Sequence, residues 1–242
     1  MGEPLFFTAP ISTAGSVLSL PEDTARHVTG VLRMKAGDTL RLTDGSGTDA
    51  RAIILETAKK NCTVKITASS RIERANSFGI AISPLKNTSR FEWFLEKATE
   101  LGIGAIYPIR CARTEKQYFR AERFRNILIS AMLQSQQVWL PELHEPVDLN
   151  SFIEGGKNGI YASRYIAHCY DSEKTSFASQ LSSAELPGLI LIGPEGDFTE
   201  AEVELATTNG YVAVSLGHTR LRTETAGMVA ASLLSARGFT SV

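Results

Sequence analysis

The feature that most constrains this chain is a pair of apolar runs in its C-terminal portion, each ending in a glycine-bearing loop and each followed by a helix signal. Leu189-Ile190-Leu191-Ile192 shows no polar alternation, the pattern of a strand buried on both faces. It breaks at Gly193-Pro194-Glu195-Gly196. Thr199 and Glu202 then have capping-box spacing, which predicts a helix ending at Asn209-Gly210. Tyr211 to Leu216 reads as a second buried strand, broken at Gly217. Thr223 is expected to cap a last helix with Ala226, Val229, Ala230 and Leu233 on one face. Parallel sheets bind ligands where strand ends leave backbone groups free, and glycine there allows a ligand to approach the main chain closely. The second loop runs into Arg220, Arg222 and Glu224, a concentration of charge that points to a site.

The rest of the chain fits two domains, with strands and helices alternating from residue 79 onward. Gly79 to Leu85 and Ala105 to Ile109 read as strands around a helix carrying Phe91, Phe94, Leu95, Ala98 and Leu101 at helical spacing. Ser89 and Glu92 suggest a capping box for that helix. Asn158 to Ser163 is expected to be a further strand and Thr175 to Leu181 a short helix. Residues 1–72 read instead as short strands: Val17 to Leu20, Thr39 to Thr43, Arg51 to Leu55 and Cys62 to Ala68, with one or two helical turns over 23–32. Such a series suggests a small barrel, which hides its edges by closing. The polar, aperiodic stretch 71–77 marks the boundary between domains 1–72 and 78–242.

Charge is distributed unevenly. Residues 1–140 hold 19 Lys and Arg against 13 Asp and Glu, a balance of +6, while 141–242 hold 6 against 13, a balance of −7. A chain that is nearly neutral overall can thus present a basic face to phosphates. Arg33 and Lys35 beside a turn, and Arg113, Arg120 and Arg123 among Tyr118, Phe119 and Phe124, are the RNA-contact candidates. His27 is expected to be packed and hydrogen-bonded. Cys62, Cys111 and Cys169 follow no metal-ligand spacing and read as free thiols of a reducing cytoplasm. No apolar run is long enough to span a membrane. The dinucleotide fingerprint, the phosphate-binding P-loop and the HExxH zinc motif are all missing, so no metal and no membrane partner is expected.

Ile192-Gly193-Pro194-Glu195-Gly196, taken with Leu216-Gly217-His218-Thr219-Arg220-Leu221-Arg222-Thr223-Glu224-Thr225-Ala226, resembles the signature of the RsmE family of SPOUT-class methyltransferases. Glu96-Lys97-Ala98-Thr99-Glu100-Leu101-Gly102 resembles a further segment of that family. His27 to Arg33 with Gly37-Asp38 resembles its PUA-like N-terminal domain. The chain lacks the family's early Arg before Leu5-Phe6-Phe7, and it lacks the Gly-Arg after Gln134-Ser135, so no RNA contact is carried over to those positions.

The resemblance implies an α/β SPOUT-type, mostly parallel sheet with a C-terminal trefoil knot, preceded by a small PUA-like β-barrel. It implies methylation of N3 of a uridine in small-subunit (16S) ribosomal RNA by a cytoplasmic homodimer using S-adenosylmethionine. The dimer contact is expected at helix 223–237 and near Phe91 to Leu101. Ile192, Gly193, Gly196, Leu216, Gly217, Leu221, Arg222 and Thr225 are then the cofactor-binding candidates. Uracil N3 carries a proton, so the reaction needs a proton acceptor and a donor for the charge that spreads to the ring oxygens. Arg222 is the donor candidate and Glu195 or Glu224 the acceptor; an Arg222–Glu224 ion pair is the structural alternative. Two other readings remain open at this level, a SPOUT enzyme acting on another RNA nucleotide and an inactive ribosome-assembly factor.

Overall fold

The computed structural model describes residues 2–58, 60–74, 78–115, 118–155, 159–181 and 187–238. The chain forms two compact units, Met1–Arg74 with Met132–Leu140, and Ala75–Ala131 with Pro141–Val242.

The first unit is a five-stranded sheet in the order Leu5–Phe7, Thr39–Thr43, Thr48–Ala58, Asn61–Arg71, Val17–Ser19. Cys62, Val64 and Ile66 alternate inward along their strand, facing Leu40, Leu42 and Ile54. Register shifts between Arg51 and Ala52 and between Ile54 and Glu56 interrupt the long hairpin. Such irregularities increase twist and let a short sheet curl around its core. Helix Glu22–Arg26 and the turn His27–Val31 add Ala25 and Val28 to that core. His27 is exposed and meets the Phe6 ring edge-on at 5.8 Å.

A contiguous domain 1–72 does not describe this unit, because residues 132–140 return to it. Trp139 is the reason. Its Nε1 donates to the Ile72 carbonyl at 3.0 Å, and Arg71 and Arg74 lie 5.4 and 5.1 Å from its ring. Gly47, at φ +96°, has room for no Cβ, which would fall 2.4 Å from the Trp139 ring. This is a long-range fit with no local sequence pattern.

The second unit is built on a parallel sheet in the order Thr175–Ser176, Val212–Ser215, Ser163–Ala167, Gly188–Ile192, Gly79–Ile82, Ala105–Arg110, Glu142–Leu143. Gly188–Ile192 is buried at every position, as its apolar run predicts. Val212–Ser215 is not, and Val212 is 42% exposed. Its outer neighbour contributes only two residues, Thr175 and Ser176, so it is covered on one side by almost nothing. An apolar run reads the same at the centre of a sheet and near its edge. The strand expected at 158–163 runs over Ser163–Ala167 instead, and Asn158 lies outside the described residues.

Helix Thr88–Glu100 is capped by Asn87, whose carboxamide oxygen accepts the Ser89 N–H at 3.0 Å. The expected Ser89–Glu92 box does not form, since Glu92 pairs with Arg123. Phe91, Phe94, Leu95 and Ala98 are buried, and the helix packs on the last helix, Thr223–Gly238. There Gly227 permits close approach: a Cβ would lie 2.7 Å from Phe94 and 2.9 Å from Ile82. The buried residues of the last helix are Thr223, Glu224, Gly227, Ala230, Ala231, Leu234 and Ser235, while Ala226, Val229 and Leu233 are half-buried. The pattern is therefore turned from the predicted one toward Gly227, which hydropathy does not count as apolar.

Candidate functional site

Four loops at the carboxyl ends of the parallel strands meet in one place. After Gly188–Ile192, the chain turns at Gly193 to Asp197, closed by the Asp197 N–H donating to the Pro194 carbonyl at 2.9 Å. Asp197 has φ +62°, a left-handed conformation that its short polar side chain tolerates. Its carboxylate accepts the N–H of Phe198 and, from the loop after Ser163–Ala167, that of Cys169, each at 2.8 Å. From the loop after Ala105–Arg110, Arg113 donates to the carbonyls of Gly196 at 2.7 Å and Phe198 at 3.2 Å. Tyr170 adds its hydroxyl to the Phe198 carbonyl at 2.8 Å.

The Thr199–Glu202 capping box is present, and the buried Glu202 does more than cap. Its second oxygen accepts the Ala112 N–H at 2.7 Å, tying the 111–114 loop to helix Glu200–Thr208. Thr223, expected as a side-chain cap, instead donates its hydroxyl to the Gly193 carbonyl at 2.9 Å. It is the first residue of its helix and is buried against the neighbouring loop, so the nearest acceptor belongs to another strand end. These bonds fix the two glycine loops relative to each other.

Between the loops lie two cavities that share Ala167, Cys169, Arg220, Leu221 and Ala226. The larger, about 730 Å³, is lined by Ile192, Gly193, Glu195, Gly196 and Arg222, with Arg113 at its wall. The smaller, about 330 Å³, is lined by Leu216, Gly217, His168 and Lys174. Gly217 stands at φ +144° with nothing within 4 Å of where a Cβ would be, so its backbone faces open space. The Arg222 side chain is exposed and has no hydrogen-bond or ion-pair partner among the described residues.

The remaining sequence candidates lie elsewhere or carry another role. Thr225 is exposed on the last helix and lines neither cavity. Glu224 is buried, with Oε1 3.7 Å from Arg90 Nε and Oε2 without a partner, so the Arg222–Glu224 ion pair is replaced by Arg90–Glu224. Arg222 precedes the helix and is exposed, whereas Glu224 lies in its first turn and is buried. Arg113 braces the Gly193–Phe198 loop, and Arg123 is held by Glu92 through bonds of 2.5 and 2.8 Å. Arg33, at φ +54°, Lys35 and Arg120 are exposed.

Sequence reasoning missed Asp197, His168, Tyr170 and the bracing role of Arg113. Asp197 follows the glycine loop directly and could have been taken with it; the others come from strand ends that adjoin only in the fold. Burial and the nearby Glu202 carboxylate push the Cys111 thiol up to about 12. Burial and then Asp197 also raise Cys169, whereas burial and then Lys174 lower His168, with Asp197 opposing.

This geometry defines a class: a parallel α/β protein whose ligand cavity is walled by backbone-rich loops at adjacent strand ends, with cations at the rim. Residues 73–235 match the RNA methyltransferase domain and residues 20–67 the RNA methyltransferase PUA domain. The chain is 30% identical over 234 residues to ribosomal RNA small subunit methyltransferase E of Synechocystis sp., covering 94% of this chain and 76% of that protein. Among solved structures, a probable rRNA-methyltransferase from Porphyromonas gingivalis matches with a TM-score of 0.90 at 37% identity, over 99% of this chain and 100% of that one. Ribosomal RNA small subunit methyltransferase E of Neisseria gonorrhoeae, bound to S-adenosyl methionine, matches with a TM-score of 0.82 at 26% identity, over 97% and 98%. The chain belongs to the ribosomal RNA small subunit methyltransferase E family.

Proposed function

We propose that this protein methylates N3 of a uridine in 16S ribosomal RNA, using S-adenosylmethionine held between the two glycine loops. One observation carries the reading: the loops after Ile192 and after Ser215 are joined through Thr223 and Gly193 around connected cavities rimmed by Arg220 and Arg222. The lining fits a ligand with a neutral heteroaromatic end and a charged end. Backbone and apolar groups of Leu216, Gly217, Leu221 and Ala226 suit the first; the charges of Glu195, Arg220 and Arg222 suit the second. When bound, S-adenosylmethionine supplies an electrophilic methyl group.

The chain's own task is to orient the uracil and manage one proton. Arg222, unpartnered and exposed at the cavity, donates to a uracil oxygen as negative charge grows there. Glu195, exposed on the same cavity, is the proton acceptor there. Glu224 is turned to Arg90 and serves the structure. Ile192, Gly193, Gly196, Leu216, Gly217 and Leu221 hold the cofactor, while Arg33, Lys35 and Arg120 contact RNA phosphates. The protein acts in the cytoplasm as a homodimer whose chains are threaded at the C-terminal end as a trefoil knot. Half-buried Val229 and Leu233 on the last helix support the pairing.

The test is mass spectrometry of 16S ribosomal RNA from a deletion strain. N3-methyluridine is expected to vanish and to return with the parent gene but not with Arg222→Ala. Persistence of the modification in the deletion strain refutes the substrate, and its replacement by loss of another methylated nucleotide reassigns it.

A further inference from the structure

The smaller cavity contains a group that the proposed chemistry does not use. His168 is 7% exposed, and neither ring nitrogen reaches solvent or has a hydrogen-bond partner among the described residues. Leaving one such polar atom buried and unpaired costs on the order of 1–3 kcal/mol, so a native chain that carries two has a use for them. The residue lies one position beyond the strand Ser163–Ala167, at a strand end where parallel sheets take ligands. It lines the cavity together with Leu216, Gly217 and Leu221, although its ring nitrogens are turned away from the open space and a turn of the ring is needed to bring one to a ligand. Its main chain is pinned, because the Lys174 ammonium donates to the carbonyls of His168, at 3.1 Å, and Tyr170. Rotation of the ring about its side-chain bonds is the freedom that remains.

We infer that His168 is a specificity-determining residue of the cofactor site, offering the lone pair of a neutral imidazole to a donor group at the adenosine end of S-adenosylmethionine. This rests on the reading of the cavity as the methyl-donor site and goes beyond it by assigning a residue and a protonation state. A neutral imidazole has one N–H and one lone pair on opposite flanks of the ring, so one of its nitrogens at a time meets a ligand group, such as the adenine amino group, an adenine ring nitrogen or a ribose hydroxyl. A cationic ligand end gains nothing from this residue, since the acceptor is single and Lys174 stands beside it. The charged groups around it favour the neutral form. Burial and the Lys174 ammonium oppose protonation, Asp197 favours it, and Arg220 and His218 line the same cavity.

The sign of the pH effect follows. A ligand that uses the lone pair binds the neutral form, so affinity is full above the histidine's lowered pKa and falls as pH drops through it. Protons are therefore released on binding near that pH.

Titration calorimetry of the full chain with S-adenosylhomocysteine, and separately with adenosine and with methionine, tests this. His168→Phe is expected to weaken S-adenosylhomocysteine and adenosine about tenfold or more and to leave methionine unchanged. His168→Gln, which keeps a donor and an acceptor, restores most of the loss. Proton release on the acidic side of the ordinary histidine range, followed as pH is lowered and read from two buffers of different ionisation heat, is present in the parent and in His218→Gln and absent in His168→Phe. Equal affinity of the parent and His168→Phe overturns the assignment, as does proton uptake, which would mean that the imidazolium binds. Should His168→Phe fail to fold, the buffer experiment on the parent and His218→Gln decides alone. If the parent binds none of the three ligands, the methyl-donor reading itself falls.

Discussion

Thr223→Val isolates the bond that joins the two glycine loops. Valine has nearly the shape of threonine but no hydroxyl, so the swap deletes the 2.9 Å bond to the Gly193 carbonyl without opening a cavity. Both residues are buried, so only a water held in the cavity they line could replace the donor. An unpaired buried acceptor costs roughly 1–3 kcal/mol. For a chain of this size each kcal/mol shifts the thermal midpoint by roughly 2–4 °C, so a drop of roughly 2–12 °C is expected in the transition of the unit that contains the site. Urea unfolding should show the same loss as a lower midpoint at unchanged m. The bond also fixes the spacing of the cavity walls, so the affinity for S-adenosylhomocysteine should fall in parallel. Thr223→Ser loses a methyl group and some stability but keeps the donor, and its ligand affinity should stay close to that of the parent. Valine and serine variants with equal ligand affinity would refute the argument that this hydroxyl sets the cavity.

Arg222→Lys is expected to react nearly as slowly as Arg222→Ala, on the order of 100-fold below the parent in single turnover with cofactor binding retained, because an ammonium cannot reproduce a guanidinium's paired donors. Normal turnover by the lysine variant would remove the role. Cys169 is exposed and lines both cavities, whereas Cys62 and Cys111 are buried, so an alkylating reagent should modify Cys169 alone. Its raised pKa makes the reaction faster toward alkaline pH, and S-adenosylhomocysteine should protect it. Labelling indifferent to the ligand would show the cavity to be misassigned. Arg33→Ala should reduce the slope of log RNA affinity against log salt by about 0.7–0.9, while Arg123→Ala, whose guanidinium already serves Glu92, should leave it unchanged. The Glu92 carboxyl is held below its usual range by Arg123. That pair therefore contributes stability above the ordinary glutamate pKa, and the contribution is lost as pH falls through the lowered value. An acid-unfolding curve of Arg123→Ala identical to the parent's would contradict this.

Local physics is what the sequence carried. Leu189 to Ile192 had to be a strand covered on both faces because it offers no polar side. Thr199 with Glu202 had to start a helix because the box satisfies its first N–H groups within four residues. The glycines at 193, 196 and 217 marked strand-end loops, and the resemblance to a known signature supplied the chemistry. What the sequence left undecided depends on contacts between distant segments. Ser89 and Glu92 satisfied the same local rule as Thr199 and Glu202, yet Asn87 caps that helix and Glu92 serves Arg123, thirty-one residues away in the chain. Trp139 draws residues 132–140 back to the first unit through Gly47 and Ile72, a fit with no period to read. Whether Tyr211 to Leu216 lay at the sheet's centre or near its edge depended on which strand flanked it. Thr223 looked like a cap until the fold placed the Gly193 carbonyl within reach, and nothing along the chain marked His168, whose ring nitrogens the fold buries without a hydrogen-bond partner among the described residues. Propensity, capping and alternation act over a few residues and can be read along the chain, whereas the pairing of buried polar groups is settled only when the strand ends come together.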